Sequence, residues 1–89
     1  MSVADCDTSE VELWGECHSL SATNISLPNR GLTGPIPPEI GLFENLINLK
    51  LRYNNLTGPI PSEIGNLSNL ETLELQFNNL SGPIPVGLW

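Results

Sequence analysis

Hydrophobic and polar positions alternate in two short stretches of this chain. Leu49 and Leu51 enclose a lysine in the first stretch, and Leu73 and Leu75 enclose a glutamate in the second. Alternation with a period of two predicts a β-strand that buries one face and exposes the other. We therefore expect two strands with buried leucines and polar outward positions.

The two stretches belong to an internal repeat. Residues 48–61 recur as residues 72–85, 24 positions later, with the same leucines, glycine and prolines and the same asparagine pair before the third leucine. A less regular first copy lies 24 positions upstream, where Ile25 and Leu27 take the places of the strand leucines. A fixed period of this length is typical of solenoids, in which each copy buries its apolar side only by stacking on the next.

Each copy also carries residues that predict a turn away from the strand. Asn54 and Asn78 follow the strands, where a buried amide both donates to and accepts from backbone groups that the turn leaves unpaired. Gly58 and Gly82 permit a backbone conformation or a close approach that a Cβ would block. Residues 61–65 are too few for an α-helix and predict a single 3₁₀ turn.

The pattern LxxLxLxxNxLxGxIPxxIGxL resembles the plant-type, 24-residue leucine-rich repeat. The resemblance covers residues 22–89 and implies a leucine-rich-repeat solenoid of the α/β horseshoe class. This fold is mostly parallel β with 3₁₀ turns on the convex face, often with a second short sheet, wound as a right-handed superhelix, here of about 2.5–3 coils. Family members include receptor-kinase ectodomains, so the resemblance implies a short secreted or receptor-ectodomain-like fragment. The middle copy matches at Leu46, Leu49, Leu51, Asn54, Leu56, Gly58, Ile60, Pro61, Ile64, Gly65 and Leu67.

Residues 1–21 resemble the N-terminal cap of such domains, because Cys6, Trp14, Gly15 and Cys17 follow its order of cysteine, tryptophan, glycine and cysteine. The resemblance implies a Cys6–Cys17 disulfide, which would stabilise so small a core by roughly 3 kcal/mol and requires an oxidising compartment. Two free cysteines in a reducing compartment are the alternative.

The segment between the cysteines contains a helix-start signal. Asp7 predicts the N-cap of a short helix, with Glu10 reaching back to it. Val11, Leu13 and Trp14 are then expected to cover the exposed edge of the first copy.

The first and last copies depart from the pattern. Arg30 stands where asparagine is expected, and arginine cannot accept a hydrogen bond, so we expect it to point outward, with Asn29 as its substitute in a shifted turn. The third coil is truncated at Trp89, which leaves its stacking face open. Either the chain is part of a longer solenoid, or a second copy covers this end through Leu88 and Trp89.

The chain is acidic, with ten carboxylates against three basic side chains and a formal net charge of −7 over 89 residues. Nucleic acid and anionic membrane need a basic face, so neither is expected as a partner. No apolar run reaches the length that membrane insertion requires.

No residue set predicts catalysis, a metal site or a cofactor. His18 beside Cys17 fits neither a nucleophile pair nor zinc spacing, and we expect an exposed histidine next to a structural cystine. Glu39 and Glu63 occupy equivalent convex positions, which suit solvent rather than acid–base catalysis.

Four asparagines, Asn24, Asn55, Asn66 and Asn79, stand in glycosylation sequons. The repeat generates such triplets by itself, so they are compatible with a secretory route without establishing it. Together with the implied disulfide and the resemblance, they predict an extracellular or cell-surface location.

Outward positions of the expected sheet form rows across the copies and predict the binding face. Lys50 and Glu74 share one row and are expected to pair across neighbouring strands. Tyr53 and Phe77 add an aromatic edge beside Arg52, a composition enriched in interface hot spots. The full candidate set is Asn48, Lys50, Arg52, Tyr53, Thr72, Glu74, Gln76 and Phe77.

The resemblance implies that the concave strand residues of such a sheet bind ligands. We therefore predict a non-catalytic module that binds a protein or peptide, with glycan as a further ligand class. The alternative is a structural piece that forms a homo-oligomer through its C-terminal end.

Overall fold

The structure is a computed structural model that describes residues 6–83. Within this range the chain forms one antiparallel hairpin, two parallel three-stranded sheets and two 3₁₀ helices, Pro38–Leu42 and Ser62–Asn66. The strands are β1 (Glu10–Leu13), β2 (Glu16–Ser19), β3 (Asn24–Ser26), β4 (Thr33–Gly34), β5 (Asn48–Lys50), β6 (Asn55–Pro59), β7 (Thr72–Glu74) and β8 (Asn79–Ser81).

The predicted repeat strands form one sheet, which we call the main sheet: β3, β5 and β7, in that order. The register follows the 24-residue period, because Ile25 lies opposite Leu49, which in turn lies opposite Leu73. Residues one period apart are therefore neighbours on adjacent parallel strands, as a solenoid requires. The leucine-rich-repeat solenoid architecture predicted from the sequence is confirmed in this respect.

A second parallel sheet, the side sheet, contains β4, β6 and β8. Its glycines are needed for their backbone conformation, since Gly58 has φ 77° and Gly82 has φ 78°, a region that side chains with a Cβ rarely adopt. Gly41 has a different reason. A Cβ added there would lie 2.8 Å from both the Cβ and the carbonyl oxygen of Glu63, so this glycine lets the two 3₁₀ helices approach each other.

The hydrophobic core runs without interruption from the hairpin into the repeats. Leu13 of β1 is as buried as the leucines of β5, so the hairpin covers the first copy as expected, with Val11 and Trp14 packed beside it. The buried hydrophobic side chains are Leu13, Ile25, Leu27, Ile36, Ile40, Phe43, Leu46, Leu49, Leu51, Leu56, Ile64 and Leu67.

Asn54 joins two successive copies through its side-chain amide. Its Oδ1 accepts hydrogen bonds from the backbone N–H groups of Arg30 (2.9 Å) and Leu32 (3.1 Å), one copy upstream. Its Nδ2 donates to the carbonyl oxygens of Leu27 (3.0 Å) and Leu51 (2.9 Å). Only 7% of Asn54 is exposed, so these bonds satisfy backbone groups that the turn would otherwise leave buried and unpaired.

Asn78 repeats the arrangement one copy later. Its Oδ1 accepts from the Leu56 N–H (2.9 Å), and its Nδ2 donates to the carbonyl oxygens of Leu51 (2.9 Å) and Leu75 (3.1 Å). The Leu51 carbonyl therefore accepts from both asparagines. The predicted asparagine ladder is confirmed.

Arg30 shows why the first copy needs no ladder asparagine. Among the described residues the hairpin, rather than another copy, lies upstream of it, so an asparagine at this position would have no earlier copy to bridge. Arg30 is exposed, as expected. The predicted shift of the turn is wrong, because Asn29 has φ 57° and the equivalent Tyr53 has φ 60°, so both copies turn at the same position.

The predicted helix after Asp7 is also wrong. The expected bond from Glu10 does form, since the Asp7 N–H donates to Glu10 Oε1 (3.2 Å), but Asp7 Oδ1 accepts from the Ser9 N–H (2.9 Å) rather than from the Glu10 N–H. They close a single turn, after which β1 begins at Glu10. Trp14 (φ 50°) and Gly15 (φ 84°) then form a two-residue hairpin loop with both φ values positive.

Ser9 also determines the acidity of Asp7. Its hydroxyl donates to Asp7 Oδ1 at 2.7 Å, and its backbone N–H donates to the same oxygen. These two bonds, the hydroxyl first, hold the pKa of Asp7 below its ordinary value of 3.8, because both favour the charged carboxylate.

The Cys6–Cys17 disulfide is present, with the two Cα atoms 5.6 Å apart, within the usual range for this bond. It ties the segment before the turn to β2. The predicted Leu88–Trp89 self-association surface and the end of the third coil lie outside the described residues. Among residues 6–83, no helix is long and apolar enough to cross a membrane.

Candidate functional site

The main sheet arranges most of the predicted binding residues in rows. Asn48 lies opposite Thr72, and Lys50 lies opposite Glu74, on neighbouring strands. The hydrogen-bonded ladder continues beyond the strands, where the Tyr53 N–H donates to the Gln76 carbonyl oxygen at 3.1 Å. The candidate residues therefore occupy one continuous surface.

The predicted ion pair between Lys50 and Glu74 is wrong, because Glu74 pairs with a different cation. Glu74 Oε1 instead contacts Nη1 of Arg52, which lies diagonally across the two strands. The guanidinium reaches this diagonal because arginine is long and presents several N–H groups in a planar fork. Both side chains are about one-third exposed, so the pair is partly shielded from water.

Lys50 is consequently not neutralised by Glu74. Within residues 6–83 it makes no ion pair, and it lies half-buried in the middle strand of the main sheet. Because Arg52 is neutralised by Glu74, Lys50 is the cation that this surface offers to an acidic group.

Tyr53 and Phe77 form the aromatic edge of the surface. Their rings stack with centroids 4.5 Å apart and planes 3° from parallel, yet 46% of Tyr53 and 66% of Phe77 remain exposed. Both residues have left-handed backbones, with φ 60° and 62°, which is unusual for bulky side chains. The equivalent Asn29 has φ 57°, so this backbone conformation belongs to the turn of each copy, and the turn holds both rings at the surface.

Sequence reasoning missed a groove between the hairpin and the first copy. Its volume is about 310 Å³, and it lies against Trp14 and Arg30. Arg30 makes no ion pair within the described part of the chain. The sequence did contain a signal for this groove, namely Arg30 itself. It stands where the later copies have the ladder asparagines Asn54 and Asn78, in the copy that lies next to the hairpin. The groove is lined by Leu13, Trp14, Gly15, Glu16, Leu27, Arg30 and Leu32.

His18 is less exposed than predicted. Its side chain is 16% exposed, because β2 pairs with β1 and places His18 opposite Val11. Its Nε2 is buried without a hydrogen-bond partner in the described residues, and Glu16 Oε1 lies 3.5 Å away. Cys6, Glu10 and Cys17 have ligand atoms within 4.8 Å of one another, but the disulfide uses both sulfur atoms, so this cluster offers no thiolates to a metal.

The sequon asparagines are exposed, whereas the ladder asparagines, buried Asn54 and half-buried Asn78, are not in sequons. Asn24 lies on the main sheet, and Asn66 ends the second 3₁₀ helix. Asn55 and Asn79 begin β6 and β8 of the side sheet. The fold therefore accommodates a glycan at each sequon, and their use stays a prediction.

The Leucine Rich Repeat family model matches residues 45–67 and 69–89. The chain belongs to the leucine-rich-repeat family. Its repeats are of the plant type, since solved structures of plant leucine-rich-repeat receptors superimpose on them. Among curated protein sequences, none matches this chain.

Three solved structures illustrate the likeness. A chain of the PEPR1–AtPEP1 crystal structure is 40% identical over 78% of this chain, with a TM-score of 0.76. The ectodomain of the plant membrane receptor kinase GASSHO1/SCHENGEN3 from Arabidopsis thaliana, in complex with CASPARIAN STRIP INTEGRITY FACTOR 2, is 50% identical over 63%, with a TM-score of 0.61. The plant peptide hormone receptor RGFR1, in complex with RGF2, is 38% identical over 80%, with a TM-score of 0.55.

The chain is much shorter than these relatives. It spans 10% of the PEPR1–AtPEP1 chain, 7% of the GASSHO1/SCHENGEN3 ectodomain and 15% of the RGFR1 chain. The likeness therefore concerns a few repeats rather than a whole receptor.

Proposed function

We propose that this chain is a non-catalytic recognition module that binds a peptide or protein ligand through the main sheet and its aromatic edge. The observation that carries the proposal is the exposed Tyr53–Phe77 stack, which adjoins the sheet whose middle strand carries Lys50, a cation that makes no ion pair within residues 6–83. Exposed aromatic rings supply large contact area at low entropic cost, and a nearby free charge orients the ligand.

The charges of the surface favour a ligand with an acidic group. The chain has a net charge of −7, so an acidic ligand approaches against repulsion except where a cation faces it. Lys50 provides such a point on the main sheet, whereas Arg52 is occupied by Glu74. We therefore expect the ligand to place a carboxylate over Lys50.

The relatives support a peptide as ligand. RGFR1 is a peptide hormone receptor and was solved in complex with RGF2, and GASSHO1/SCHENGEN3 is represented by its ectodomain. We infer by likeness that this chain also acts outside the cell or at its surface, where the Cys6–Cys17 disulfide is stable.

The finer features of the predicted architecture belong to the same proposal. They are a cap at residues 1–21, repeats over residues 22–89, about 2.5–3 coils, a right-handed superhelix and a concave face formed by the main sheet. Glycan as a ligand and a homo-oligomer through Leu88 and Trp89 stay predictions, and the proposed function does not depend on either.

A peptide selected from a random phage-displayed library tests the proposed function. The folded, disulfide-bonded protein is immobilised, and enriched peptides are synthesised and titrated by calorimetry. The binding surface is small, so we expect dissociation constants on the order of micromolar. Lys50→Ala and Tyr53→Ala are expected to weaken binding at least about tenfold each, since they remove the charge and the ring platform.

Glu39→Ala is the matched control, because Glu39 is exposed on the first 3₁₀ helix, away from the main sheet. It is expected to leave the affinity unchanged. Peptides that bind equally well to wild-type protein and to both main-sheet variants would contradict the proposed surface. A selection that enriches no binding peptide would contradict the proposed ligand class.

A further inference from the structure

The aromatic edge continues into the first copy without an aromatic residue. Asn29, Tyr53 and Phe77 are equivalent positions, with φ values of 57°, 60° and 62°. The Asn29 N–H donates to the Arg52 carbonyl oxygen at 3.2 Å, as the Tyr53 N–H donates to the Gln76 carbonyl oxygen at 3.1 Å. Equal backbone geometry and equal ladder bonds give the three Cβ atoms the same direction, one strand step apart.

The ring stack follows the same strand step. The two ring centroids are 4.5 Å apart, close to the roughly 4.8 Å that separates neighbouring strands. A ring at the Asn29 step would therefore stack on the face of Tyr53 that is turned away from Phe77. Asn29 is exposed and its side chain is shorter than an aromatic one, so this step offers room for a ring, and we call this position the slot.

A cation without a partner borders this slot. Arg30 follows Asn29 directly, is exposed, and lines the groove of about 310 Å³ beneath the hairpin. No carboxylate pairs with it in residues 6–83. Because Arg30 is the next residue after Asn29, the slot and this charge together describe one chemical class of ligand group, an aromatic ring with an anionic neighbour.

We propose that the Asn29 step is a subsite for an aromatic side chain of the ligand that is flanked by a carboxylate. The ring stacks on Tyr53 and the carboxylate contacts Arg30. This inference rests on the proposed function and deepens it, because it names the group that an acidic peptide would insert at the N-terminal end of the aromatic edge.

Small probes test the subsite directly by proton NMR. N-acetyl-phenylalanine, with a free carboxylate, is titrated into the disulfide-bonded protein and compared with N-acetyl-phenylalaninamide and N-acetyl-leucine. We expect upfield shifts of the phenyl protons and of the Tyr53 ring protons with a millimolar midpoint, since parallel rings shield each other. The acid is expected to bind at least about threefold more tightly than the amide despite the acidic protein. N-acetyl-leucine is expected to shift nothing at Tyr53.

Variants separate the subsite from general binding. Asn29→Phe places the protein's own ring in the slot and is expected to weaken the probe at least about tenfold. The left-handed backbone already carries tyrosine and phenylalanine at the equivalent positions, so the fold should accept this change. Thr33→Phe adds the same ring to an exposed position of β4 and is expected to leave binding unchanged. Tyr53→Leu removes the platform and is expected to abolish the ring-current shifts.

The possible failures are distinguishable. Equal binding of leucine and phenylalanine probes, or binding that Asn29→Phe does not weaken, would overturn the subsite. Equal binding of the acid and the amide would remove Arg30 from it. If the leucine and phenylalanine probes bind equally, or Asn29→Phe has no effect, while phage-selected peptides still depend on Lys50, the subsite is wrong and the proposed function holds. If probes bind but no peptide is selected, the subsite holds and the proposed ligand class fails.

Discussion

The middle and last copies of the repeat have nearly the same sequence but differ in burial. Leu49, Leu51 and Leu56 are completely buried in the middle copy. The equivalent leucines 24 residues later, Leu73, Leu75 and Leu80, are only partly buried. A copy in the middle of the stack has a neighbour on both sides, and burial in a solenoid comes from these neighbours rather than from the copy itself.

At the N-terminal end, the first copy reaches high burial although the described residues give it a neighbouring copy on only one side. The first copy also has only one neighbouring copy among the described residues, yet Ile25 and Leu27 are buried, because Leu13 of the hairpin packs over them. A chain segment with no repeat sequence thus replaces a missing copy. The comparison predicts that the free energy of unfolding depends on where a residue lies in the stack more than on which repeat position it holds.

The largest expected effect is that of Leu51→Ala compared with Leu75→Ala. Both changes delete the same atoms at the same repeat position, but only Leu51 is completely buried. We expect Leu51→Ala to lower the free energy of unfolding by about 3–4 kcal/mol and Leu75→Ala by about half as much. Urea titration followed by circular dichroism measures both values, and equal losses would refute the comparison.

Removal of the Cys6–Cys17 disulfide tests whether the hairpin stabilises the first copy in the way that a neighbouring copy would. Cys6→Ser with Cys17→Ser is expected to lower the free energy of unfolding by about 3 kcal/mol, because the unfolded chain regains the entropy of an open loop. Thermal unfolding of the oxidised and the dithiothreitol-treated wild-type protein provides the control. If the variant unfolds like the oxidised protein, the disulfide does not hold the hairpin in place.

Asn54→Ala compared with Asn78→Ala tests the ladder in the same way. Asn54 is buried and bonds to five backbone groups in two copies, so its loss is expected to cost about 2–3 kcal/mol. Asn78 is half-buried, and water is expected to replace part of its bonds, at a cost of about 1 kcal/mol. Asn55→Ala, at an exposed neighbour, is the control in chemical denaturation and is expected to change little.

The smallest effect concerns the turn before the hairpin and depends on pH. The folded-state pKa of Asp7 lies below its ordinary value of 3.8, so its contribution to stability is present above that value and is lost as the pH falls through the folded-state pKa. Asp7→Ala is therefore expected to reduce the loss of melting temperature between pH 5 and pH 2.5. Thr8→Ala, also exposed in this turn, is expected to keep the wild-type dependence, and an identical dependence in Asp7→Ala would contradict the assignment.

The repeated part of the fold was predictable because its signals are local and occur more than once. The strand leucines, the ladder asparagines and the glycines at Gly58 and Gly82 each have one physical role, and the 24-residue period shows which residues become neighbours. The candidate surface was predictable for the same reason, since its rows follow directly from the period.

The hairpin was not predictable in this way. Asp7 and Glu10 form the bonds of a helix start, but the alternation of Val11 and Leu13 leads into a strand. Two-residue hairpin loops usually contain asparagine and glycine, and here tryptophan takes the first position. The packing of Trp14 on the first copy was expected from the sequence, but its left-handed backbone was not.

By itself, the sequence determined the period, the strands of the main sheet and their register, because the repeat places equivalent residues opposite each other on neighbouring strands of that sheet. Only the tertiary structure decided the details of the surface. Glu74 forms its ion pair with Arg52 rather than with Lys50, because the guanidinium reaches it diagonally across the strands. The rings of Tyr53 and Phe77 stack, and both residues have left-handed backbones. Side-chain reach and backbone direction depend on the folded geometry, and they leave Lys50 and the Asn29 step open to a ligand.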